Sequence, residues 1–540
     1  MTPPAEPPVR DVAVVGFGPV GQLLSLLLAR AGHDVVVLER WPEPYDLPRA
    51  VHFDHEIGRI FQAAGIGESV RAVTDPVPDH YEWRNRDGAP LVRIDWSGTG
   101  PSGWPTASFF SQPELESVLS AAALLEDGVT LHRGHQVVDL TEADDHVRLT
   151  TRTQDGTEHA FRARYVIGAD GANSFVRSRM RSSVTDLGFF YDWLIVDTIP
   201  AEQETWSPMN WQLCDPARPT TVVSGGPGRR RWEFLRLPGE SVEDLNTPER
   251  AWELLAPWGR TPDNTGIERH VVYTFQARWV EQWREGRLLL AGDAAHQMPP
   301  FAGQGMCSGL RDAMNLAWKL SLVLRGVSAP ELLDSYTSER SEHVQHAIGM
   351  SMALGQVICV LDPRQAADRD ARMIATGADP ALALPAMPPP VLGDGVLQRR
   401  PDGTRSPAVG HLTPQYRLTH RGRTALLDDL TGGGFTVLTD GARHRTPLDD
   451  ADRQLLDTLG ATLVPLYSAD DADAPDDAFL DTDGGYLAHL RERHHLAAVV
   501  RPDFYLFGAA GDAAELHRLL GQLRDGLHHH APLAAAAVPR

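Results

Sequence analysis

The sequence predicts an α/β protein with three parts: a parallel-sheet domain, a mostly antiparallel sheet inserted into it, and a smaller C-terminal α/β domain. In residues 11–39 a strand, a glycine-rich turn, a helix and a second strand follow one another, which is the order of a βαβ unit. Residues 181–280 contain β-branched and Trp-containing runs such as WLIVDTI and TTVVSG, which favour antiparallel strands. Beyond residue 410, strand-like and helix-like segments alternate again.

The N-terminal βαβ unit contains a motif that binds dinucleotides. A strand at Asp11–Val15 leads into the GxGxxG turn Gly16–Gly21, a helix is predicted over Leu23–Ala31, and a second strand covers Asp34–Leu38. Such a turn brings the helix N-terminus close to a pyrophosphate. Glu39, which ends the second strand, would accept hydrogen bonds from ribose hydroxyls and would repel a 2′-phosphate.

Two later segments also place glycines and a carboxylate directly after a strand. The strand-like run Phe161–Ile167 leads into Gly168–Ser174, which contains Asp170, and a short helical VRSRM follows. The apolar run Leu288–Ala291 leads into Gly292 and Asp293. Both segments therefore repeat one pattern, a carboxylate and glycines at the end of a strand.

The chain after Asp293 is predicted to approach a ligand closely. Pro299 and Pro300 block regular structure, and the Gly303–Gly305 segment allows a close approach of the backbone. From Met306 onward, apolar residues recur at helical spacing. A glycine hinge before a helix N-terminus predicts a ligand that carries hydroxyls and an electron-rich end.

Composition excludes several classes of partner. The 540-residue chain carries a net charge of −22 and is 42% hydrophobic, which argues against nucleic-acid and anionic-membrane partners. It has no long apolar run and no signal-like N-terminus. Its three cysteines are far apart, which favours a reducing, cytoplasmic location, and no metal site is expected, including at His528–His530. A homodimer is a further expectation.

The predicted domain limits follow from these patterns. Residues 1–10 are predicted to be a disordered tail, and a Pro- and Gly-rich linker is predicted over 386–410. Residues 11–180 and 281–385 would form the dinucleotide-binding domain, with 75–110 contributing to the inserted substrate domain of 181–280. Residues 411–540 follow a thioredoxin-like order of elements but contain no cysteine, so thiol redox chemistry is excluded there.

The three turns, in this order and at these distances, resemble those of the class A flavoprotein aromatic hydroxylases. Within that class the chain is similar to the 3-(3-hydroxyphenyl)propionate hydroxylase group, over about residues 10–360. The segment GDAAHQMPPFAGQGMCSGLRDAMNLAWKL carries most of the resemblance, and PRAVHFDHE and SQPELE support it. The resemblance implies a Rossmann-like FAD domain and a monooxygenase. Such an enzyme uses NADH or NADPH and O2, through a flavin C4a-hydroperoxide, to hydroxylate a small phenolic substrate.

The resemblance also implies roles for individual residues. Glu39 would hold the adenosine ribose of FAD, Arg49 its phosphates or ribityl chain, Gln112 the ribityl and adenosine side, and Asp293 a ribityl hydroxyl. The turn around Asp170 would contribute to FAD binding and to the passage of the nicotinamide. The full set of predicted cofactor residues is Gly16, Gly18, Pro19, Val20, Gly21, Glu39, Arg40, Arg49, Gln112, Asp170, Gly171, Gly292, Asp293, Pro300, Gly303, Gln304, Gly305 and Met306.

The residues that act on the substrate are less sharply defined. Pro299 is expected in a rigid apolar wall beside the reactive flavin, which must stay dry. His52 and Asp54 are candidate bases for the phenol, while His296, Tyr191 and Glu233 remain open as alternatives. Tyr191, Trp232 and Phe234 are candidates for the aromatic substrate wall.

Three alternatives compete with this hypothesis. The substrate could be a polyketide, an aminophenol or an anthranilate-type acid of natural-product biosynthesis. A flavin halogenase is disfavoured because the only lysine, Lys319, lies in the helix beyond Gly305 and WLIVDTIP lacks a second Trp. A non-catalytic binding module with this fold would not need the Gly292–Gly305 segment.

Overall fold

The computed structural model describes residues 6–188, 190–384, 391–444 and 448–527. The predicted His528–His530 cluster and part of the predicted linker therefore lie outside the described residues. Among the described residues, no single helix is long and apolar enough to cross a membrane; one pair, Pro330–Ile358 with Pro363–Ala375, passes on length and composition but is bent by 112°.

Residues 6–384 contain the first 21 strands and 11 α-helices of the described chain. The strands are β1 (Val9–Val15), β2 (Val35–Glu39), β3 (His52–Asp54), β4 (Thr74–Pro76), β5 (His80–Arg84), β6 (Pro90–Asp95), β7 (Ala107–Phe110), β8 (Val129–Arg133), β9 (Gln136–Glu142), β10 (Val147–Arg152), β11 (Glu158–Gly168), β12 (Val184–Asp186), β13 (Tyr191–Pro200), β14 (Asn210–Leu213), β15 (Thr220–Ser224), β16 (Arg230–Leu235), β17 (Thr265–Phe275), β18 (Arg278–Val280), β19 (Arg284–Glu285), β20 (Leu288–Leu290) and β21 (His296–Gln297). The helices are α1 (Pro19–Arg30), α2 (His55–Ala63), α3 (Gly67–Arg71), α4 (Gln112–Leu124), α5 (Phe175–Ser178), α6 (Val242–Leu245), α7 (Pro248–Leu255), α8 (Gly305–Leu324), α9 (Asp334–Ile358), α10 (Pro363–Ala375) and α11 (Pro380–Ala383). Short 3-10 helices occur at Ala256–Trp258, Gly292–Ala294, Pro300–Ala302 and Pro330–Leu333.

The C-terminal part adds a second α/β unit. Its strands are β22 (Arg417–His420), β23 (Arg423–Leu426), β24 (Thr436–Asp440), β25 (Thr462–Ser468), β26 (Phe479–Asp481), β27 (Ala497–Val500) and β28 (Leu506–Ala510). Its helices are α12 (Leu427–Thr431), α13 (Asp450–Leu459), α14 (Gly485–Glu492) and α15 (Ala513–Gly526).

The predicted βαβ unit forms the centre of a large sheet. Strand β1 pairs in parallel with β2 on one side and with β11 on the other, and β11 pairs in parallel with β20. The sheet order is β19-β20-β11-β1-β2-β8, with β10 and β9 attached to β11. Helix α1 begins at Pro19, four residues earlier than predicted, because proline is well suited to the first turn of a helix. All three glycine-containing turns therefore lie at one edge of this sheet.

The inserted sheet has seven strands in the order β17-β13-β16-β15-β14-β5-β6. Most of its pairs are antiparallel, and β5 and β6 come from residues 80–95. Both faces of this sheet are buried. Trp193 and Ile195 face one apolar cluster, whereas Leu194 and Val196 face a second cluster under α6 and α7.

The C-terminal sheet has the order β23-β22-β26-β25-β24-β27-β28. Within it β24 and β25 are parallel, and β27 and β28 run antiparallel beside β24. The turn between β27 and β28 enters the rest of the protein: Arg501, Asp503 and Tyr505 are buried and contact α2, α8 and α9 side chains.

Two predicted boundaries were wrong in part. Val9 and Arg10, expected in the tail, belong to β1, because their backbones pair with Arg162 and Ala163 of β11. The described part of the predicted linker, residues 391–410, is packed against the protein, since Leu392, Leu397 and Val409 form an apolar cluster with Tyr505.

Candidate active site

The three glycine-containing turns are in direct contact. A Cβ on Gly16 would lie 2.4 Å from the carbonyl oxygen of Ala169, and a Cβ on Gly292 would lie 3.0 Å from the side chain of Val20. Gly16 and Gly292 also have positive φ angles of 100° and 62°. A larger residue at either position would push the turns apart. The glycines of the sequence motif are therefore what allows this close packing.

The N-terminus of α1 leaves open space in front of its backbone N–H groups. A Cβ on Gly18, the residue that precedes the helix, would meet no atom within 4 Å, and no side chain caps the helix. Glu39 lies beside this space, where its carboxylate accepts hydrogen bonds from the backbone N–H groups of Phe17 and Trp41, both at 2.8 Å. The arrangement fits a pyrophosphate at the helix and an adjoining ribose at Glu39.

The turn around Asp170 is held by its own hydrogen bonds. The Asp170 carboxylate accepts bonds from the Ser174 hydroxyl (2.5 Å) and the Phe175 N–H (2.7 Å), and so begins α5. Arg177, on that helix, donates to the carbonyl oxygens of Ala172 (2.6 Å) and Ala294 (2.8 Å). Asp170 therefore shapes its turn, and Arg177 ties this turn to the one that contains Asp293.

Asp293 lies at a cavity of about 250 Å³ between these turns and the β12-β18-β21 sheet. Its side chain is exposed to the cavity, yet the surrounding protein desolvates it enough to raise the pKa of its carboxyl. The charged side chains that line the cavity are two arginines, Arg177 and Arg278, and two aspartates, Asp186 and Asp293. The lining residues are Arg177, Val184, Asp186, Arg278, Trp279, Val280, Asp293, Ala295, His296 and Gln297.

The loop that carries Arg49 is attached to α4. The Gln112 side chain accepts a hydrogen bond from the Ala50 N–H (2.6 Å) and donates one to Glu116 (2.6 Å). Gln112 is buried, so its amide fixes the loop instead of standing open to a cofactor. Arg49 itself is exposed, with its guanidinium 4.0 Å from the centre of the Tyr45 ring.

The N-terminus of α8 is fixed by a buried ionic network. Arg311 donates to Gln304 (2.9 Å), to Asp54 (2.7 Å) and to Glu56 (2.6 Å). Burial alone would raise the pKa of Asp54, but the Arg311 guanidinium outweighs it and lowers that pKa. Asp54 also accepts the first N–H groups of α2, so it is a structural acceptor, and the expectation that it is a base for the substrate is not supported by its contacts.

His52 lies directly behind the glycine hinge. A Cβ on Gly303, whose φ is 63°, would lie 2.9 Å from His52 Nδ1. The imidazole stacks on Trp96 at 5.0 Å, and both ring nitrogens are buried without a well-formed hydrogen bond to any described residue. Burial lowers the pKa of His52 to about 4, so its imidazole is neutral near pH 7.

Aromatic side chains pack together between this hinge and the inserted sheet. Phe301, which follows Pro300, lies 5.7 Å from Trp193 and 6.4 Å from both Tyr191 and Phe275. Pro299 is buried beside them, and its carbonyl oxygen accepts a hydrogen bond from Ser351. Tyr191 and Pro299 thus lie where the sequence predicted an apolar wall.

Trp232 and Phe234 do not belong to this wall. They pair with Val196 and Leu194 and lie in the apolar cluster under α7, on the far face of the sheet. Their assignment to the substrate was wrong because successive residues of a strand point to opposite faces, and these two point away from Phe301. Glu233, which lies between them in the sequence, points to the same face as Trp193 and Ile195.

Several residues at this site had little sequence signal. Arg177 and Arg311 are cations within helices, Trp96 is an isolated aromatic in a loop, and Phe301 lies in the short 3-10 helix Pro300–Ala302. Only the fold brings them together. Proximity to a glycine turn in the sequence would have been a usable signal for Arg177 alone.

The chain is similar to known proteins over most of its length. Residues 10–351 match the FAD binding domain family, and residues 410–526 match the HcaD C-terminal domain. The chain is 38% identical over 535 residues to a probable NADH-specific resorcinol 4-hydroxylase of Rhodococcus jostii strain RHA1, covering 96% of each chain. It is 32% identical to a 3-(3-hydroxyphenyl)propionate/3-hydroxycinnamic acid hydroxylase of Comamonas testosteroni, covering 84% of this chain and 85% of the relative.

A solved structure extends the likeness to the fold. The flavin-dependent monooxygenase PieE, determined with FAD and substrate, superposes with a TM-score of 0.80 over 97% of this chain and 100% of its own, at 23% identity. The family match covers more than half of the chain, and the relatives above match nearly their whole length. The chain therefore belongs to the class A FAD-dependent aromatic hydroxylases.

Proposed function

We infer that the protein hydroxylates a phenolic ring, with FAD as its bound cofactor, a nicotinamide dinucleotide as electron donor and O2 as co-substrate. The observation that carries this function is the contact between the three glycine-containing turns, which makes one continuous site from α1 to the α8 N-terminus. The balanced reaction converts a phenol, NADH, a proton and O2 into the dihydroxylated ring, NAD⁺ and water.

The residues around the turns fit FAD along its length. The open α1 N-terminus would take the pyrophosphate, Glu39 the adenosine ribose, and Asp293 the ribityl hydroxyls. The backbone N–H groups of Gly305 and Met306, at the start of α8, would face the electron-rich end of the flavin ring. Bound FAD supplies the redox chemistry: it takes two electrons from the nicotinamide and activates O2.

The protein's own contribution is orientation and exclusion of water. Pro299, Phe301 and Trp193 form a rigid apolar wall beside the hinge, and a dry site limits the loss of activated oxygen as hydrogen peroxide. Arg177 and Arg278 line the cavity that lies against the same turns, and their guanidinium groups would attract the phosphates of the nicotinamide dinucleotide as it approaches.

For the substrate we propose a small neutral diphenol of the resorcinol type, with NADH as the donor. The two arginines on the substrate-facing side of the sheet are already paired with one acid: Arg231 lies 2.6 Å and Arg269 3.1 Å from Asp197. A carboxylate-bearing substrate such as 3-(3-hydroxyphenyl)propionate would have to compete with Asp197 for them. The 38% identity to the relative named an NADH-specific resorcinol hydroxylase supports the same choice.

A substrate panel tests this choice. FAD-loaded protein would be given NADH or NADPH with resorcinol, 3-(3-hydroxyphenyl)propionate or an aminophenol, and product and peroxide would be quantified together. We expect the highest ratio of product to peroxide with resorcinol and NADH. A higher ratio with the phenylpropionate would contradict the neutral-substrate proposal and leave the reaction class intact.

We also propose a fold type for the FAD domain and for the C-terminal domain. The strand order β25-β24-β27-β28 with α13 and α15 supports a thioredoxin-like C-terminal domain, and the parallel β20-β11-β1-β2 order supports a Rossmann-like FAD domain. The homodimer and the cytoplasmic location stay predictions from the sequence.

A further inference from the structure

A partly buried carboxylate on the sheet face that carries the apolar wall has no hydrogen-bond donor among the described residues. Glu233 lies in the middle of β16 and points to the same side of the sheet as Trp193 and Ile195. Its side chain is 13% exposed, and its nearest cation is Arg231, whose Nη1 lies 3.8 Å from a carboxylate oxygen. The described residues give this carboxylate no hydrogen bond, which is costly for a desolvated acid.

The charged groups around Glu233 do not satisfy it. Arg231 and Arg269 are both shared with Asp197, and Tyr81 is the other titratable group close by. Burial raises the pKa of Glu233 to about 6, with Arg231 opposing and Asp197 reinforcing the shift. The group is therefore mostly ionised at pH 7 and remains able to take up a proton.

Aromatic contacts connect Glu233 with the glycine hinge of α8. Tyr81, which is close enough to Glu233 to feel its charge, stacks on Trp96 at 4.7 Å, and Trp96 stacks on His52 beside Gly303. On the other side, Trp193 reaches Phe301. Glu233 therefore lies on the sheet face whose aromatic residues reach the hinge.

We propose that Glu233 is the catalytic residue that accepts the proton of the substrate's phenolic hydroxyl. The O–H bond breaks, the proton goes to a Glu233 carboxylate oxygen, and the electron pair stays on the phenolic oxygen, where it makes the ring a better nucleophile toward activated oxygen. The hydroxylated ring carbon then gives its own proton to water, and Glu233 returns the first proton to the phenolic oxygen of the product. This inference rests on the proposed function.

The other candidate bases have different tasks. Asp54 is held by Arg311 and by the start of α2, and His296 is paired with Asp312 at 2.7 Å. His52, with its pKa near 4, is a much weaker base than Glu233. A phenol has a pKa of about 10, so transfer to Glu233 becomes favourable only as the ring loses electron density during oxygen addition.

The variant Glu233→Gln keeps the shape of the side chain and removes its ability to accept a proton. In the FAD-loaded enzyme we expect this variant to bind FAD and resorcinol nearly as the wild type does, while the rate of hydroxylation falls about 100-fold or more and peroxide replaces product. Phenols acidic enough to arrive ionised would restore the yield. Glu82→Gln is the matched control, because Glu82 is a buried carboxylate of the same sheet on its other face.

The pH dependence of the wild type provides a second test that needs no variant. With a phenol of ordinary acidity, the hydroxylation rate should rise with pH through a pKa near 6, and with an already ionised phenol this rise should vanish. Glu233→Gln with a wild-type product yield, or a wild-type profile that is flat near pH 6 for both phenols, would overturn the inference. A wild type that hydroxylates no phenol at all would instead refute the proposed function.

Discussion

At the scale of single residues, the hinge in front of α8 places a glycine where any side chain would crowd His52. Gly303 has a φ of 63°, and a Cβ there would lie 2.9 Å from His52. The sequence predicted a close backbone approach at this position, but not that its neighbour would be His52. The sequence identified Gly303 as a candidate cofactor residue and His52 as a candidate base. Their contact could not be predicted, because it depends on how β3 packs against the start of α8.

The variant Gly303→Ala tests this contact. We expect it to weaken FAD binding about tenfold or more and to alter the flavin absorbance spectrum, because His52 or the hinge must move. Gly326→Ala is the matched control: Gly326 also has a positive φ, 71°, but a Cβ there meets no atom within 4 Å. Each variant should lose about 1 kcal/mol of stability from the backbone strain alone. Equal FAD affinity in the two variants would contradict the role given to the hinge.

At the scale of elements, the two faces of the inserted sheet pack against different parts of the protein. The sequence correctly predicted its antiparallel strands, since β-branched and aromatic runs are typical of them. It could not distinguish the faces, because residues such as Trp193 and Trp232 are equally apolar and both are fully buried. What distinguishes them is that α6 and α7 cover one face while the α8 hinge approaches the other.

The two faces predict different outcomes for the same substitution. Trp193→Phe should raise the KM for the phenol and increase the share of peroxide, since Trp193 contacts Phe301 beside the hinge. Trp232→Phe should lower the melting temperature without changing the product-to-peroxide ratio, because Trp232 packs under α7. Both effects would be measured in the FAD-loaded enzyme. If Trp232→Phe changed coupling as strongly as Trp193→Phe, the assignment of the faces would be wrong.

At the scale of the whole molecule, the C-terminal domain is connected to the flavin end of the site by buried polar contacts. The Tyr505 hydroxyl donates to Glu56 at 2.9 Å, Arg311 donates to Glu56 at 2.6 Å, and Arg311 also holds Gln304 at the start of α8. The order of elements in this domain was predictable from its alternating strands and helices. The docking turn was not, since Asp503 and Tyr505 have no periodic or motif signal.

Because of this connection, we expect Tyr505 to act as a positioning residue for the proposed flavin site. Tyr505→Phe removes only the hydroxyl, leaves Glu56 short of a donor, and should weaken FAD binding and shift the flavin midpoint potential. Tyr486→Phe serves as the control, because its hydroxyl accepts a bond from the Tyr416 N–H within the C-terminal domain. A loss of thermal stability in Tyr505→Phe with unchanged FAD affinity and potential would show that the contact is only structural.

The central claim is that the protein transfers one oxygen atom from O2 to a phenolic ring. The most direct test is single-turnover product analysis under isotopically labelled dioxygen, with the FAD-loaded wild type, NADH and resorcinol. We predict a hydroxylated product that carries one labelled oxygen atom for each NADH consumed in coupled turnover. NADH oxidation that yields only labelled hydrogen peroxide, or a product whose new oxygen comes from water, would contradict the account.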